Sequence, residues 1–224
     1  MTHTVRWTAK KIAQRLALIE PLVYRRRHAL SSFQYQPLTS PLEPPPTDST
    51  ADDSSWTTIE PHSYWGHWNT CFVLRARFSI PASWEDTAPV ALFLPLGEAG
   101  DFSHPEALAS IDGEPYAACD RNHQEILLSE KWRDGQERLL ALHGWTGLGG
   151  GGWQARDEPT QLFLRPCAVV QIDQPTRDFV ATARVALGVA TTLSDQITAK
   201  NHLLNGLDDA FRMLDTREPF GESF

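Results

Sequence analysis

The residues best suited to chemistry lie in one polar stretch, 120–125, which separates two apolar segments. It contains Asp120, Asn122, His123 and Glu125, whose carboxylate, amide and imidazole groups can bind sugar hydroxyls or coordinate a metal ion. Because side chains alternate along a strand, His123 and Glu125 are expected on one face, with Asp120 at the turn. The same groups can instead satisfy backbone atoms of the turn and one another. We therefore take the stretch as a candidate substrate-binding rim or domain contact.

A second candidate is the aromatic stretch Trp65-Gly66-His67-Trp68, in which two indoles lie close together in the sequence. Flat aromatic faces stack on sugar rings, so Trp65 and Trp68 are candidates for a sugar-binding platform. The alternative is that both indoles pack at the edge of a domain, which is the ordinary role of tryptophan.

Catalytic machinery is not evident in the sequence. The histidines form no His-x-His or HExxH motif, and no serine or cysteine stands in a nucleophile elbow. His62, His67 and Cys71 are irregularly spaced and lack a fourth zinc ligand. The carboxylates do not single out a pair for glycoside hydrolysis. The sequence therefore predicts no catalytic residue, no metal site and no cofactor in this chain.

Several short strands must position these candidates. Asp112-Gly113 is typical of a two-residue hairpin turn, since both positions need a positive φ. From Phe72 to Ile80 apolar residues alternate with Val73, Arg75 and other residues, which predicts a half-buried strand. Further apolar strands are predicted at 90–96, 138–145 and 162–172, separated by glycine and proline turns. This spacing predicts a mainly β protein, an antiparallel β-sandwich.

Helical periodicity brackets the predicted sandwich. Ile12, Leu16, Ile19 and Val23 recur at helical spacing, and Arg25 to Arg27 are expected at the end of that helix. Two amphipathic helices are predicted after Ile172, and their outer sides carry apolar residues that a larger protein would cover: Val185, Val189 and Leu203. The predicted domains are a helical segment (1–36), a mobile, solvated Pro/Ser/Asp-rich linker (37–55), the sandwich (56–175) and a C-terminal helical segment (176–224).

Composition indicates which partners and which compartment to expect. The formal net charge of −8 argues against a nucleic-acid partner, because phosphate binding needs a basic face. The three cysteines are far apart and lie in or beside apolar runs, as buried thiols of a reducing compartment do. No signal-peptide core and no apolar run of about 18 residues is present. We therefore expect a cytoplasmic protein with no membrane partner.

Several motifs occur in a specific order: Trp56, Trp65-Gly66, FVLRARFSIPASW, PVALFLPLGEAG, IDGEPYAACDRNHQEILL and the tail Leu204-Asn205-Gly206-Leu207-Asp208. This order resembles the N-terminal region of glycoside hydrolase family 38 α-mannosidases. The resemblance implies a jelly-roll-like sandwich and a short helical segment that precede a catalytic domain. It also implies that the parent enzyme is retaining and carries a divalent metal, zinc, in that missing domain. The family's His-x-His-x-Asp metal motif is absent from these residues, so this chain alone should be inactive.

Two functions remain open at this point. By resemblance, the chain is a non-catalytic accessory domain that packs on the catalytic domain of the same polypeptide and serves the hydrolysis of α-mannosides, with homo-oligomer formation left open. The alternative is an autonomous carbohydrate-binding sandwich that uses Trp65, Trp68 or the 120–125 turn.

Overall fold

The computed structural model describes residues 8–84, 87–97, 105–147 and 161–221 together with Phe224. Helix α1 spans Thr8–Ile19, α2 spans Gln174–Thr192 and α3 spans Thr198–Met213. The strands are β1 (Tyr24–Ala29), β2 (Phe33–Pro37), β3 (Thr57–Ile59), β4 (Tyr64–Trp65), β5 (Cys71–Phe78), β6 (Val90–Phe93), β7 (Glu106–Ile111), β8 (Glu114–Cys119), β9 (Glu125–Leu127), β10 (Arg138–Trp145), β11 (Leu162–Phe163) and β12 (Ala168–Ile172). The predicted fold class, a mainly antiparallel β-sandwich with an N-terminal helix and C-terminal helices, is confirmed.

The strands form two principal sheets. The six-stranded sheet has the order β3-β2-β5-β10-β7-β8, and the four-stranded sheet has the order β1-β12-β6-β9. A small sheet pairs β11 with β4. One apolar core contains the inward side chains of both principal sheets, among them Phe72, Leu142, Leu92 and Val169. Strand β10 is central because it pairs with both β5 and β7.

The chain divides into two compact units, and their bounds differ from the predicted domains. One unit contains residues 1–26 and 171–224, and the other contains 27–170. Helix α1 ends at Ile19, before a 3-10 turn that includes Pro21, so Arg25 to Arg27 lie in β1 and not at a helix end. Proline lacks the N–H that would continue the helix, which explains the early end.

In the helical unit, α1, α2 and α3 bury apolar stripes against one another. Asp173 caps α2, since its carboxylate accepts hydrogen bonds from the backbone N–H and the hydroxyl of Thr176, at 3.1 and 2.6 Å. The shared core consists of three residues from each helix: Ile12, Leu16, Ile19, Val180, Ala183, Ala190, Leu204, Leu207 and Phe211. No helix of the described residues is long and apolar enough to cross a membrane.

A buried carboxylate on α3 joins the first and last helices of this unit. Asp208 is bridged by Lys11 at 3.0 Å, by Arg15 at 3.2 Å and by Arg212 at 2.5 Å. The hydrogen bond from Lys11 holds the pKa of Asp208 below its usual value of 3.8, with help from both guanidinium groups and against the effect of burial. Asp208 is therefore ionised at neutral pH and serves as an ionic link between α1 and α3.

Strand β5 is buried on both faces, which differs from the half-buried strand that its alternation predicts. Phe72 and Leu74 point into the core. On the opposite face, Val73 and Arg75 are only 0% and 2% exposed. This outer face of the six-stranded sheet is covered around Arg75 by residues 38–56, which we call the strap.

Arg75 holds the strap in place. Its guanidinium donates hydrogen bonds to the carbonyls of Ala51 at 2.7 Å and Asp48 at 3.1 Å. Its Nε lies 3.3 Å from the carboxylate of Asp53, and its guanidinium carbon lies 5.5 Å from the ring centre of Trp56. A buried guanidinium requires such acceptors, because an unpaired buried charge is very costly.

Close backbone packing fixes the same segment near the β7–β8 turn. Gly113 has φ +86°, and a Cβ placed there would lie 3.4 Å from the Cα of Asp48. At the other end of the strap, the N–H of Leu38 donates to the carbonyl of Cys71 at 2.8 Å. Most residues of 37–55 are exposed, as the linker prediction expects, but Leu38, Asp48, Ala51 and Asp53 have long-range partners on the sheet. The predicted mobility of this segment stays a prediction.

Candidate functional site

The polar stretch 120–125 forms the turn that joins β8 to β9. The Asp120 carboxylate accepts hydrogen bonds from the backbone N–H groups of Asn122 and His123, both at 2.7 Å. Nδ1 of His123 lies 3.0 and 3.2 Å from the two carboxylate oxygens. Four contacts thus tie Asp120 to its own turn, which is the structural role that aspartate commonly takes in such turns.

These contacts determine the ionisation of Asp120. Burial is the largest single effect and opposes ionisation, but the hydrogen bonds from His123 and from the Asn122 backbone together outweigh it and lower the pKa of Asp120. Asp120 is therefore a carboxylate at neutral pH and acts as a hydrogen-bond acceptor, not as a proton donor.

His123 and Glu125 do not share a strand face as expected. The His123 side chain is 75% exposed and lies in the turn, whereas β9 begins only at Glu125. Glu125 is partly buried and pairs with Phe93 of β6. Asn122 is exposed beside His123. The turn therefore exposes Asn122 and His123 to solvent, whereas Glu125 begins β9 of the four-stranded sheet.

Trp65 and Trp68 occupy different environments. Trp65 is 1% exposed, and its indole N–H donates to the carbonyl of Leu96 at 2.8 Å. Its ring packs edge-on against Phe72, with 5.0 Å between centroids. No face of Trp65 is open to a sugar. Trp68 is partly exposed, and its buried Nε1 has no hydrogen-bond acceptor in the part of the chain that the structure describes.

A shallow groove, open to solvent, runs along β7 and β8 next to Asp120. It has a volume of about 320 Å³ and is lined by Glu106, Ala107, Leu108, Ala118, Cys119 and Asp120. Leu108 is 43% exposed and pairs directly with exposed Ala118, so the floor is apolar. The carboxylates of Glu106 and Asp120 stand at one end. The sequence did not identify Glu106, Leu108 or Ala118 as candidate site residues. The alternation of side chains along 106–111 could have indicated that Glu106 and Leu108 share one face.

The described residues offer no obvious metal centre. Across residues 8–84, 87–97, 105–147, 161–221 and Phe224, no three His, Cys, Asp or Glu side chains are grouped so that they could hold a metal ion. The lining of the groove offers carboxylate oxygens for hydrogen bonding and an aliphatic floor for apolar contact.

Comparison with known proteins gives only remote likenesses to solved structures. No family model matches the sequence, and no curated protein matches it. Among solved structures, Bacteroides uniformis β-glucuronidase 2, covalently bound to cyclophellitol-6-carboxylate aziridine, has a TM-score of 0.45 at 14% identity, covering 65% of this chain and 18% of that one. The Ruminococcus gnavus β-glucuronidase in complex with D-glucuronic acid has a TM-score of 0.42 at 13% identity, covering 66% and 29%.

A glycosyl hydrolase family 2 member from Bacteroides cellulosilyticus gives a TM-score of 0.40 at 16% identity, covering 66% of this chain and 20% of that one. This chain thus spans less than a third of each of these structures. The neighbours are β-glucuronidases and a family 2 member, so the expected resemblance to family 38 α-mannosidases is corrected. With TM-scores below 0.5 at these identities, the likeness carries no argument about the role of this chain.

Proposed function

We propose that this chain is a non-catalytic β-sandwich module that serves a glycoside hydrolase and faces its carbohydrate. The observation that carries the proposal is the groove of about 320 Å³ beside Asp120. Its two acidic side chains lie at one end of an apolar floor, an arrangement that suits the hydroxyl groups and C–H faces of a sugar. Asp120 is held ionised by its turn, which makes it an acceptor for sugar hydroxyls and unsuited to protonate a leaving group.

The proposed partner is a catalytic domain of the same polypeptide. Support comes from α2, whose exposed side includes Val185 at 68% and Val189 at 45% exposure. Two exposed valines one helical turn apart form an apolar strip of the kind that domain contacts cover.

We also propose a reducing compartment such as the cytoplasm. All three cysteines are free, and Cys119 and Cys167 are buried. Burial, reinforced by the neighbouring charge of Asp120, raises the pKa of Cys119 to about 12. The thiol is therefore protonated and unreactive, as a structural core cysteine is.

The purified chain tests the proposal in two assays. A panel of aryl α- and β-glycosides should show no turnover above a mock preparation, because the sequence singles out no pair of carboxylates for the acid and nucleophile roles. A glycan microarray should retain the chain on at least one class of oligosaccharide. Turnover would show that the module is catalytic, and a blank array would show that it does not face carbohydrate; either result refutes the proposal.

A further inference from the structure

Strands β10, β7 and β8 bring five side chains together on the outer face of the six-stranded sheet, at the end that the strap does not cover. The register pairs Trp145 with Glu106, His143 with Leu108, and Leu108 with Ala118. Paired residues in antiparallel strands lie about 4.5–5.5 Å apart and project from the same face of the sheet. We call the five residues Glu106, Leu108, Ala118, His143 and Trp145 the open row.

Gly144 shows which way the open row points. A Cβ at Gly144 would lie 2.8 Å from the Cβ of Ala107 and 2.8 Å from Cζ of Phe72, both of which belong to the core. Gly144 therefore faces inward, and its neighbours His143 and Trp145 face outward. Both are partly exposed.

The strap divides the outer face into a covered end and an open end. At the covered end, Arg75, Ala141 and Ser110 are 2%, 0% and 4% exposed. At the open end, Leu108 is 43% exposed and Ala118 is exposed as well. The open row thus lies beyond the strap and is accessible to a ligand.

Trp145 is held in a defined orientation. Its indole N–H donates to Oδ1 of Asn69 at 3.1 Å. Asn69, which has a positive φ of 53°, is itself anchored because its backbone N–H donates to the carbonyl of Gly147 at 2.8 Å. A fixed indole binds a flat ligand face at a smaller entropic cost than a mobile one.

We propose that the open row, with Asp120, binds a neutral hexose ring of a glycan. The indole of Trp145 and the Leu108–Ala118 floor contact the C–H face of the sugar, and Glu106 and Asp120 accept hydrogen bonds from its hydroxyls. A uronic acid is disfavoured, because its carboxylate would meet these two carboxylates on a chain of net charge −8. This inference rests on the proposed function and specifies the ligand class and the site.

Titration of neutral methyl hexosides and of the matching uronosides, followed by NMR or calorimetry, tests the proposal. Trp145→Ala and Leu108→Ser should each weaken neutral hexose binding about tenfold, the scale of one lost aromatic or apolar contact. Tyr64→Ala is the matched control, since Tyr64 is 60% exposed on the small sheet outside the open row. It should change affinity less than about twofold. Glu106→Gln should reduce the difference in affinity between neutral hexosides and uronosides, because it removes one of the two negative charges.

Thermal unfolding of each variant separates lost binding from lost folding, and Leu108→Ser keeps the test valid if Trp145→Ala does not fold. If hexosides bind but both open-row variants retain full affinity, the site is wrong while the proposed function stands. Tighter binding of uronosides than of hexosides would overturn the ligand class. If no glycan binds on the array or in titration, the proposed function fails together with this site.

Discussion

Replacing Arg75 with methionine should release the strap. The side chain is 2% exposed and donates to two strap carbonyls, at 2.7 and 3.1 Å. Two hydrogen bonds from a charged donor, at about 1.5 kcal/mol each, predict a loss of about 3 kcal/mol. The ion pair with Asp53 adds little, because that carboxylate is 35% exposed and screened by solvent. Methionine fills part of the space, so the main loss is that of the hydrogen bonds.

Limited proteolysis with an enzyme that cuts before aspartate measures the release. The strap contains three sites, at Asp48, Asp52 and Asp53. If local opening limits cleavage, about 3 kcal/mol corresponds to cleavage about a hundredfold faster, at 1.4 kcal/mol per factor of ten. Mass spectrometry of the fragments identifies the cut, and urea unfolding gives the accompanying change in global stability.

Arg77→Met is the matched control. Arg77 lies on the same strand and face, but its side chain is 57% exposed. Its ion pair with the exposed carboxylate of Glu137 is long, at 3.7 Å. Its replacement should change stability by less than about 0.5 kcal/mol and leave cleavage unaltered. The reasoning is refuted if the strap of the unmodified chain is cut as fast as that of Arg75→Met, or if both variants behave alike.

Three further changes test other parts of the structure. Tyr116→Phe should cost about 1–2 kcal/mol in urea unfolding, because the hydroxyl donates to Leu127 at 2.9 Å and accepts from the N–H of Ser129 at 3.0 Å; an unchanged midpoint would contradict this. Asp208→Asn should destabilise the helices at pH 7 and progressively less below about pH 4. The pKa of Asp208 is lowered in the folded state, so the stabilisation from its carboxylate is lost as the pH falls through that pKa. A loss of stability that stays the same down to about pH 2 would exclude the ionic link. His123→Ala should alter thermal stability by less than about 0.5 kcal/mol, because the side chain is 75% exposed; unfolding of this variant would show that His123 supports the fold.

Local features were predictable from the sequence. The Asp112-Gly113 turn has φ values of 52° and 86° and joins β7 directly to β8, as the two-residue hairpin signal predicts. The apolar stripe of α1 is buried at Ile12, Leu16 and Ile19 as well. Both are determined by residues that are neighbours along the chain.

Features that depend on distant partners were not predictable. Nothing in the composition of the strap indicates that Arg75 reaches it across the outer face of the sheet. Trp65 packs in the apolar core, where its indole N–H needs an acceptor, and that acceptor is the carbonyl of Leu96, 31 positions away. The open row was missed because strand pairing and not sequence proximity joins Glu106 to Trp145.

The contact between Lys11 and Asp208 joins residues 197 positions apart, and this has a consequence for synthesis on the ribosome. At about 5–20 residues per second, α1 must wait about 10–40 s before α3 is made. Until α2 and then α3 are made, its stripe of Ile12, Leu16 and Ile19 lacks the helices that complete its core and remains open to chaperones or to other nascent chains. The sandwich strands lie between the two halves of the helical unit in the sequence. They can therefore begin to pair before the partner helices of α1 have been made.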